Sequence, residues 1–571
     1  MAFPLDAAQL AAQLAYDAAQ RFKELCEGGA EAQEAYDSLF SGQKRSREVD
    51  EGCDAGTSGK RTRLEAVVRD VMGQFMTPEV EPWPEGLSDF RHGRLLTTPR
   101  GSSTSIFADS SLMGCFVRKK SMLSGAFSAF FIQDAYFSRF LPVKGSGPHA
   151  SRNVPLFVGR EITYDPLLPR ALAALKLQKV LKGDFDRVAD ELKKLHKTRN
   201  GENYEACYAY AAGSSHSKVM AIRYQGCLLI VITSANFMLY DWECADNHHY
   251  VQAFPELPTP IDPSSATPNE RDFLEHLSSI GFPPSVISSI AGRYDWTLAQ
   301  GRINIVASTP GTKSGPGAEE YGLLRLNALA RKLLSPELKK DNIKLEICTG
   351  SVGKLNEEWI KTADWMLKGK SVEELAEKLK KDEVKRLKMP DDWTVVYPSS
   401  ATVNACSDEA KAGATNLSCG LRSDNWPTTP SSIRSLFHDY TSKTPGRLFH
   451  QKLILWHDKG EATSSPSASS SSCSANPSAS TSPKPPLLMY IGSHNLSALA
   501  WGTVEVNKRG EHTGTAKLTS CYNFELGVVI KGEGIESMLE PGGSWEDVIT
   551  YVQPARQYGP EEKPWNAPPP R

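Results

Sequence analysis

Residues 214–236 read SSHSKVMAIRYQGCLLIVITSAN. VMAI and CLLIVI are short, β-rich apolar runs, and the YQG between them has turn chemistry, so the stretch predicts a buried hairpin. A strand sends residues i and i+2 to the same face, which puts His216 and Lys218 side by side at the mouth of the hairpin. Taken alone, the pair fits a strand that starts at the protein surface, with both side chains in water. A buried ammonium would need an anion.

The pattern occurs twice. His450-Gln451-Lys452 is followed by LILW, then a Ser/Pro/Ala-rich stretch, then PLLMYIGSHN ending at Asn495. Lys218 to Asn236 spans 18 positions, and without the 26 residues of the Ser-rich stretch Lys452 to Asn495 spans 17. One hairpin, presenting a His, a Lys and an Asn, is therefore written into the chain twice. Ammonium and amide groups are donors, suited to a phosphoryl group whose charge spreads over its oxygens in the transition state. Two histidines, one on each side of phosphorus, supply a nucleophile and a general acid that later becomes a base.

The duplicated signature resembles the phospholipase D superfamily. The resemblance implies an α/β fold of two similar α-β-α sandwich halves of the phospholipase D type, related by a pseudo-twofold axis, with one active site where they meet. Ordinary phospholipases D continue the motif as HxKxxxxD, whereas this chain has Arg223 and His457 at those places, with Asp458 one residue out of step. Loss of both Asp residues with both hairpins kept resembles the tyrosyl-DNA phosphodiesterase family. SANFMLYDW (234–242), CTGSVGKL (348–355), VVYPS (395–399), GSHNLSALAWG (492–502) and YNFELGVVI (522–530) follow in that family's order.

Residue by residue, the resemblance makes His216 the nucleophile and His450 the general acid and base. Lys218, Lys452, Asn236 and Asn495 would hold the phosphate, and Glu525 would be the carboxylate orienting a catalytic histidine. The family's counterpart in the first half is a Gln shortly after the DW pair; Asn247 stands at that spacing. Ser351 and Ser497 fall where family members contact DNA phosphate. The implied reaction is hydrolysis of the 3′-phosphotyrosyl bond between a topoisomerase I remnant and DNA, through a phosphohistidine intermediate, leaving a 3′-phosphate. No metal or other cofactor is expected. The expected partners are DNA with 3′-blocked ends and the topoisomerase I-derived peptide, met by a monomer away from membranes. The rival readings are a phospholipase D-like nuclease, a phospholipase and a non-catalytic DNA-end-binding protein.

Composition fits a soluble globular chain: 40% of the 571 residues are apolar and 23% charged. The net charge of −2 leaves any nucleic-acid contact to a local groove. Eleven scattered cysteines without a CxxC pair read as reduced thiols in an intracellular protein. Residues 1–64 read as a disordered tail, although 5–26 suit an amphipathic helix. Its basic clusters, Lys44-Arg45 and Lys60 to Arg63, resemble a bipartite nuclear localisation signal, so the nucleus is the expected compartment. The first phospholipase D-like domain is expected over 65–313, ending in the Pro/Gly-rich TPGTKSGPG, and the second over 314–571. Residues 461–486 are expected to be a disordered surface insert in the second domain. FSAFFIQDAYFSRF (127–140) reads chiefly as core with some capacity to stack on bases, and Trp565 either packs on the body or closes the groove. His248-His249 offer only a weak metal pair, with no third ligand at a useful spacing.

Overall fold

The opening hairpin forms as its pattern predicts. In the computed structural model, Val219–Tyr224 and Cys227–Thr233 pair antiparallel, and Tyr224 and Cys227 close a two-residue turn. Gly226 takes φ +73° there, a conformation that a side chain would strain. The structure describes residues 83–99, 111–145, 153–209, 213–380, 387–421, 426–460, 484–506 and 516–567. Trp83–Arg571 form one compact unit. The tail, its basic clusters and nearly all of the Ser-rich insert lie outside the described residues.

Among the described residues the first part of the chain supplies β1 (Arg94–Thr97), β2 (Ser124–Ala129), β3 (Leu156–Arg160), β4 (Tyr204–Tyr208), β5 (Ser214–Ser215), β6 (Val219–Tyr224), β7 (Cys227–Thr233) and β8 (His248–Pro255). The later part supplies β9 (Ile303–Ser308), β10 (Ile343–Thr349), β11 (Ser351–Val352), β12 (Trp393–Val396), β13 (Ser418–Cys419), β14 (Phe437–His438), β15 (Lys452–Asp458) and β16 (Leu488–Gly492). A hairpin of β17 (Thr503–Val506) and β18 (Ala516–Thr519) and the long β19 (Asn523–Lys531) complete it.

The first sheet runs β1-β8-β7-β6-β2-β3-β4 and the second β9-β19-β16-β15-β10-β12-β14, with β5 also pairing β19. Strand for strand the senses agree: the first five of each sheet are antiparallel neighbours and the last three parallel. The chain is thus two similar halves, as the repeated hairpin implies.

This correspondence moves the expected boundary. β9 occupies in the second sheet the edge place that β1 holds in the first, so the second half begins by Ile303 and not at residue 314. TPGTKSGPG is a loop inside that half, joining β9 to the helix Gly322–Leu333. Its Pro and Gly residues break a strand, which a loop within a domain needs as much as a boundary does.

Both sheets are buried on both faces, which is why their strands are continuous apolar runs rather than alternating ones. Leu228, Ile230 and Ile232 of β7 join Leu453, Leu455, Met489, Ile491, Leu526 and Val528 of the other half in one central core. The alternate residues Cys227, Leu229 and Val231 face a separate outer core, as Ile454, Trp456 and Tyr490 do in the second half. Helices Leu168–Leu175 and Phe185–Asn200 pack on the outer core of the first half, and Val372–Lys380 starts at Ser371, whose Oγ accepts the Glu374 N–H at 3.2 Å. No helix among the described residues is long and apolar enough to cross a membrane.

Candidate active site

Each histidine is held by the half it does not belong to. His216 lies between β5 and β6, and its N–H donates to the Phe524 carbonyl at 3.0 Å. His450 lies just before β15, and its N–H donates to the Asp246 carbonyl, also at 3.0 Å. Lys218 and Lys452 stand at the starts of β6 and β15, and Asn236 and Asn495 follow β7 and β16. The sandwich therefore delivers six of the predicted site residues to one end of the two packed sheets.

The imidazoles are fixed through Nδ1. His216 Nδ1 donates to Glu525 Oε2 at 2.8 Å, and Ser493 Oγ donates to the same oxygen at 2.5 Å. His450 Nδ1 donates to Asp241 Oδ2 at 2.9 Å, an oxygen that also accepts the Asn236 N–H at 2.6 Å. An ionised carboxylate only accepts, so each ring carries its proton on Nδ1 and leaves the Nε2 lone pair for chemistry. Asp241 is the residue that sequence reasoning missed, although it is the Asp of the quoted DW pair. Asn247, which stands at the spacing of the family's Gln, is fully buried. Its Oδ1 accepts from Ser234 Oγ at 2.7 Å and its Nδ2 donates to the Asp241 carbonyl at 2.8 Å, so its amide is used up supporting the loop.

Lys218 and Lys452 are 0% and 1% exposed, and each ammonium donates to the carbonyl of the histidine two residues before it. Burial pushes Lys218 down to about 8, against the pull of Glu525 and Asp241. Burial and the Lys218 charge hold Lys452 well below the usual lysine range. The halves also feel each other at the histidines. Burial drives His216 down to about 4, opposed by Glu525 and helped by Lys218 and Lys452. His450 falls to about 4 through burial and Lys452, with Asp241 opposing and Lys218 adding. The Lys218 charge thus depresses Lys452 in a buried site, and a bound phosphate would relieve it.

Asn236 Oδ1 accepts the Phe131 N–H at 3.2 Å, and Asn495 Oδ1 lies 3.4 Å from Thr349 Oγ1. Fixing the oxygens turns each Nδ2 the other way, as a donor. Ser351 and Ser497 come together beside Asn495, where the Leu496 N–H donates to the Ser351 carbonyl at 3.2 Å and the Ser497 N–H to the Asn495 carbonyl at 2.8 Å. Ser351 Oγ is 2.7 Å from Ser418 Oγ, and Ser497 caps the helix Ala498–Trp501 by accepting the Ala500 N–H. Gly350 is a close approach: a Cβ there would lie 3.1 Å from His450 Cδ2 and 3.3 Å from Lys452 Nζ.

The aromatic stretch 127–140 divides. Phe127, Phe137 and Phe140 are core, whereas the half-buried Phe130 ring sits 5.0 Å from the His216 ring and 4.8 Å from exposed Tyr164. Trp565 packs on the body of the second half, its indole N–H on the Ala414 carbonyl at 3.0 Å. His248 and His249 are buried singly, His248 Nε2 on the Val548 carbonyl and His249 Nδ1 on Thr233 Oγ1, each at 2.8 Å.

Comparison with known proteins gives the same picture. Residues 172–562 match the family model described as tyrosyl-DNA phosphodiesterase. Tyrosyl-DNA phosphodiesterase 1 of Arabidopsis thaliana is 22% identical over 161 residues, a stretch that spans 26% of this chain and 26% of that protein. Two crystal structures of substituted forms of the yeast tyrosyl-DNA phosphodiesterase superpose with TM-scores of 0.51 and 0.52 at 12% identity. They cover 83% of this chain and 98% and 99% of theirs, a likeness of fold. The family model alone spans well over half of the chain: this protein belongs to the tyrosyl-DNA phosphodiesterase family.

Proposed function

We propose that the protein is a DNA-repair phosphodiesterase that hydrolyses the 3′-phosphotyrosyl bond between a topoisomerase I remnant and DNA. The observation that carries this reading is the pair of buried imidazoles, each bonded through Nδ1 to a carboxylate of the opposite half, beside two buried lysines. His216 Nε2 attacks phosphorus, the bond from phosphorus to the tyrosyl oxygen breaks, and His450 Nε2–H gives its proton to that oxygen. His450, now neutral, takes a proton from water, whose oxygen displaces His216 from phosphorus and leaves a 3′-phosphate. The substrate's negative charge offsets Lys218 and Lys452. Those are the charges that depress His450, so the imidazolium needed as an acid becomes accessible once substrate is bound.

Turnover of a 3′-phosphotyrosyl oligonucleotide in EDTA tests this. Release of tyrosine and a 3′-phosphate end is the expected result. Binding without release would make the protein a DNA-end binder, and hydrolysis of phosphatidylcholine or of internal DNA phosphodiesters in its place would favour the phospholipase or nuclease reading. The same assay with other 3′ adducts would set the substrate range. The two basic clusters of the tail support a nuclear address, which a fluorescent fusion lacking residues 44–63 would lose.

A further inference from the structure

The two halves use the same strand register to place different residues behind their partner's histidine. In the second half Phe524 pairs with Ser215, next to His216, and the following residue, Glu525, reaches the His216 ring. In the first half Asp246 pairs with Phe449, next to His450, so the following residue, Asn247, occupies the matching place. The supporting serines match as well: Ser493 Oγ donates to Glu525 and Ser234 Oγ to Asn247. Only the last contact differs. Asn is one methylene shorter than Glu or Gln, and the Asn247 amide bonds the Asp241 carbonyl while Asp241 Oδ2 takes His450 Nδ1.

A second observation bears on why a carboxylate stands there. Asp241 is fully buried, and its Oδ1 has no hydrogen-bond partner among the described residues. A buried Asp kept for structure alone would satisfy both oxygens. Asp241 feels the charges of His450 and Lys452, accepts the Asn236 N–H on Oδ2, and acts in turn on His249.

We propose that Asp241 is the positioning carboxylate of His450, working from the loop after the first hairpin in the place that the register gives to Asn247. The acid/base side of the site is then an imidazole–carboxylate dyad rather than an imidazole–amide pair. This rests on the phosphodiesterase reading for its catalytic consequence, but not for its geometry. A charged partner favours the imidazolium that protonates the tyrosyl oxygen, and it makes the neutral ring a stronger base toward water.

Asp241→Asn and Asp241→Glu test it with two readouts. Titration of histidine-labelled protein by NMR follows His450 without any substrate, and single-turnover adduct formation follows it with one. Asp241→Asn is expected to lower the His450 midpoint and to move the alkaline fall of adduct formation to lower pH, while hydrolysis of the adduct, the step that needs the base, falls by about 10²–10⁴-fold. Asp241→Glu is expected to keep the wild-type midpoint and regain part of the rate. A midpoint and pH limb unchanged in Asp241→Asn would make Asp241 structural only. Should that variant fail to fold, the wild-type spectrum still decides: two strongly downfield Nδ1 protons are expected, and a single one would remove Asp241 from His450. If the midpoint shifts while the wild-type protein leaves phosphotyrosyl DNA intact, the dyad stands and the activity reading falls.

Discussion

The N–H of His216 and the carbonyl of Phe524 are 3.0 Å apart, and this bond sets the position of the candidate nucleophile across the seam between the halves. One step earlier, Ser214 N–H donates to the Tyr522 carbonyl at 3.1 Å, and a Cβ on Gly213 would lie 1.7 Å from that same oxygen. Gly213→Ala must therefore push β5 off β19 and carry His216 with it. Misplacement by about 1 Å costs roughly 10²-fold in turnover, so kcat is expected to fall by about that much while the three cores keep the protein folded. Steady-state kinetics beside a thermal melt checks this; a wild-type kcat would mean that Glu525 alone positions the ring.

The buried lysines make a stability prediction. Lys218 is a cation without exposure, and Lys218→Met removes a desolvated charge while keeping much of its volume. The variant is expected to melt higher than wild type without ligand, yet to lose the response to inorganic phosphate. For wild type, phosphate at a 100-fold excess over its Kd should add about 2.7 kcal/mol. Scanning fluorimetry of both proteins with and without phosphate gives the answer, and equal phosphate shifts in the two would place the anion somewhere other than Lys218.

The sequence carried the repeat, and with it the halves, the histidines, lysines and asparagines, and Glu525. All of these lie in or beside strands, where a period of two residues and a fixed register translate directly into position. Asp241 was not legible in the same way. It sits on the single π-helical turn Tyr240–Cys244, held by the hydrogen bonds of Asn247, Ser234 and Trp242, and no apolar periodicity encodes that. The place of β9 in the second sheet was not legible either, because its pairing partner, β19, lies more than 200 residues downstream. Phe130 is the third case: one half-buried ring beside His216 in a run where Phe127, Phe137 and Phe140 are core and Phe131 is exposed.

The pH dependence follows from the direction of the lysine shift. Burial lowers Lys218 to about 8 in the free protein, so the ammonium is present below that pH and lost above it. Bound phosphate favours the charged form and raises the value again in the complex. KM for a phosphotyrosyl oligonucleotide is therefore expected to climb above about pH 8, while kcat, which reports the complex, holds to higher pH. Rates measured from pH 6 to 10 separate the two. A fall in kcat at pH 8 with constant KM would assign the alkaline limb to His450 and not to a lysine.

The two histidines differ in what their loss should do. The leaving group of the first step is a phenol with pKa about 10, which departs tolerably without a proton donor. Water in the second step is a poor nucleophile and needs the base. His450→Ala should therefore slow the second step far more than the first, and a covalent protein–DNA species joined through His216 should build up. His216→Ala removes the attacking nitrogen, so turnover should vanish and no adduct form. Asp241 and Glu525 make the comparison clean, because each is bonded to one ring only and neither substitution strips the other imidazole of its partner. Denaturing gels with labelled 3′-phosphotyrosyl DNA show the outcome directly. An adduct with His216→Ala and none with His450→Ala would exchange the two roles, and equal cleavage by both variants and wild type would move the chemistry away from this site.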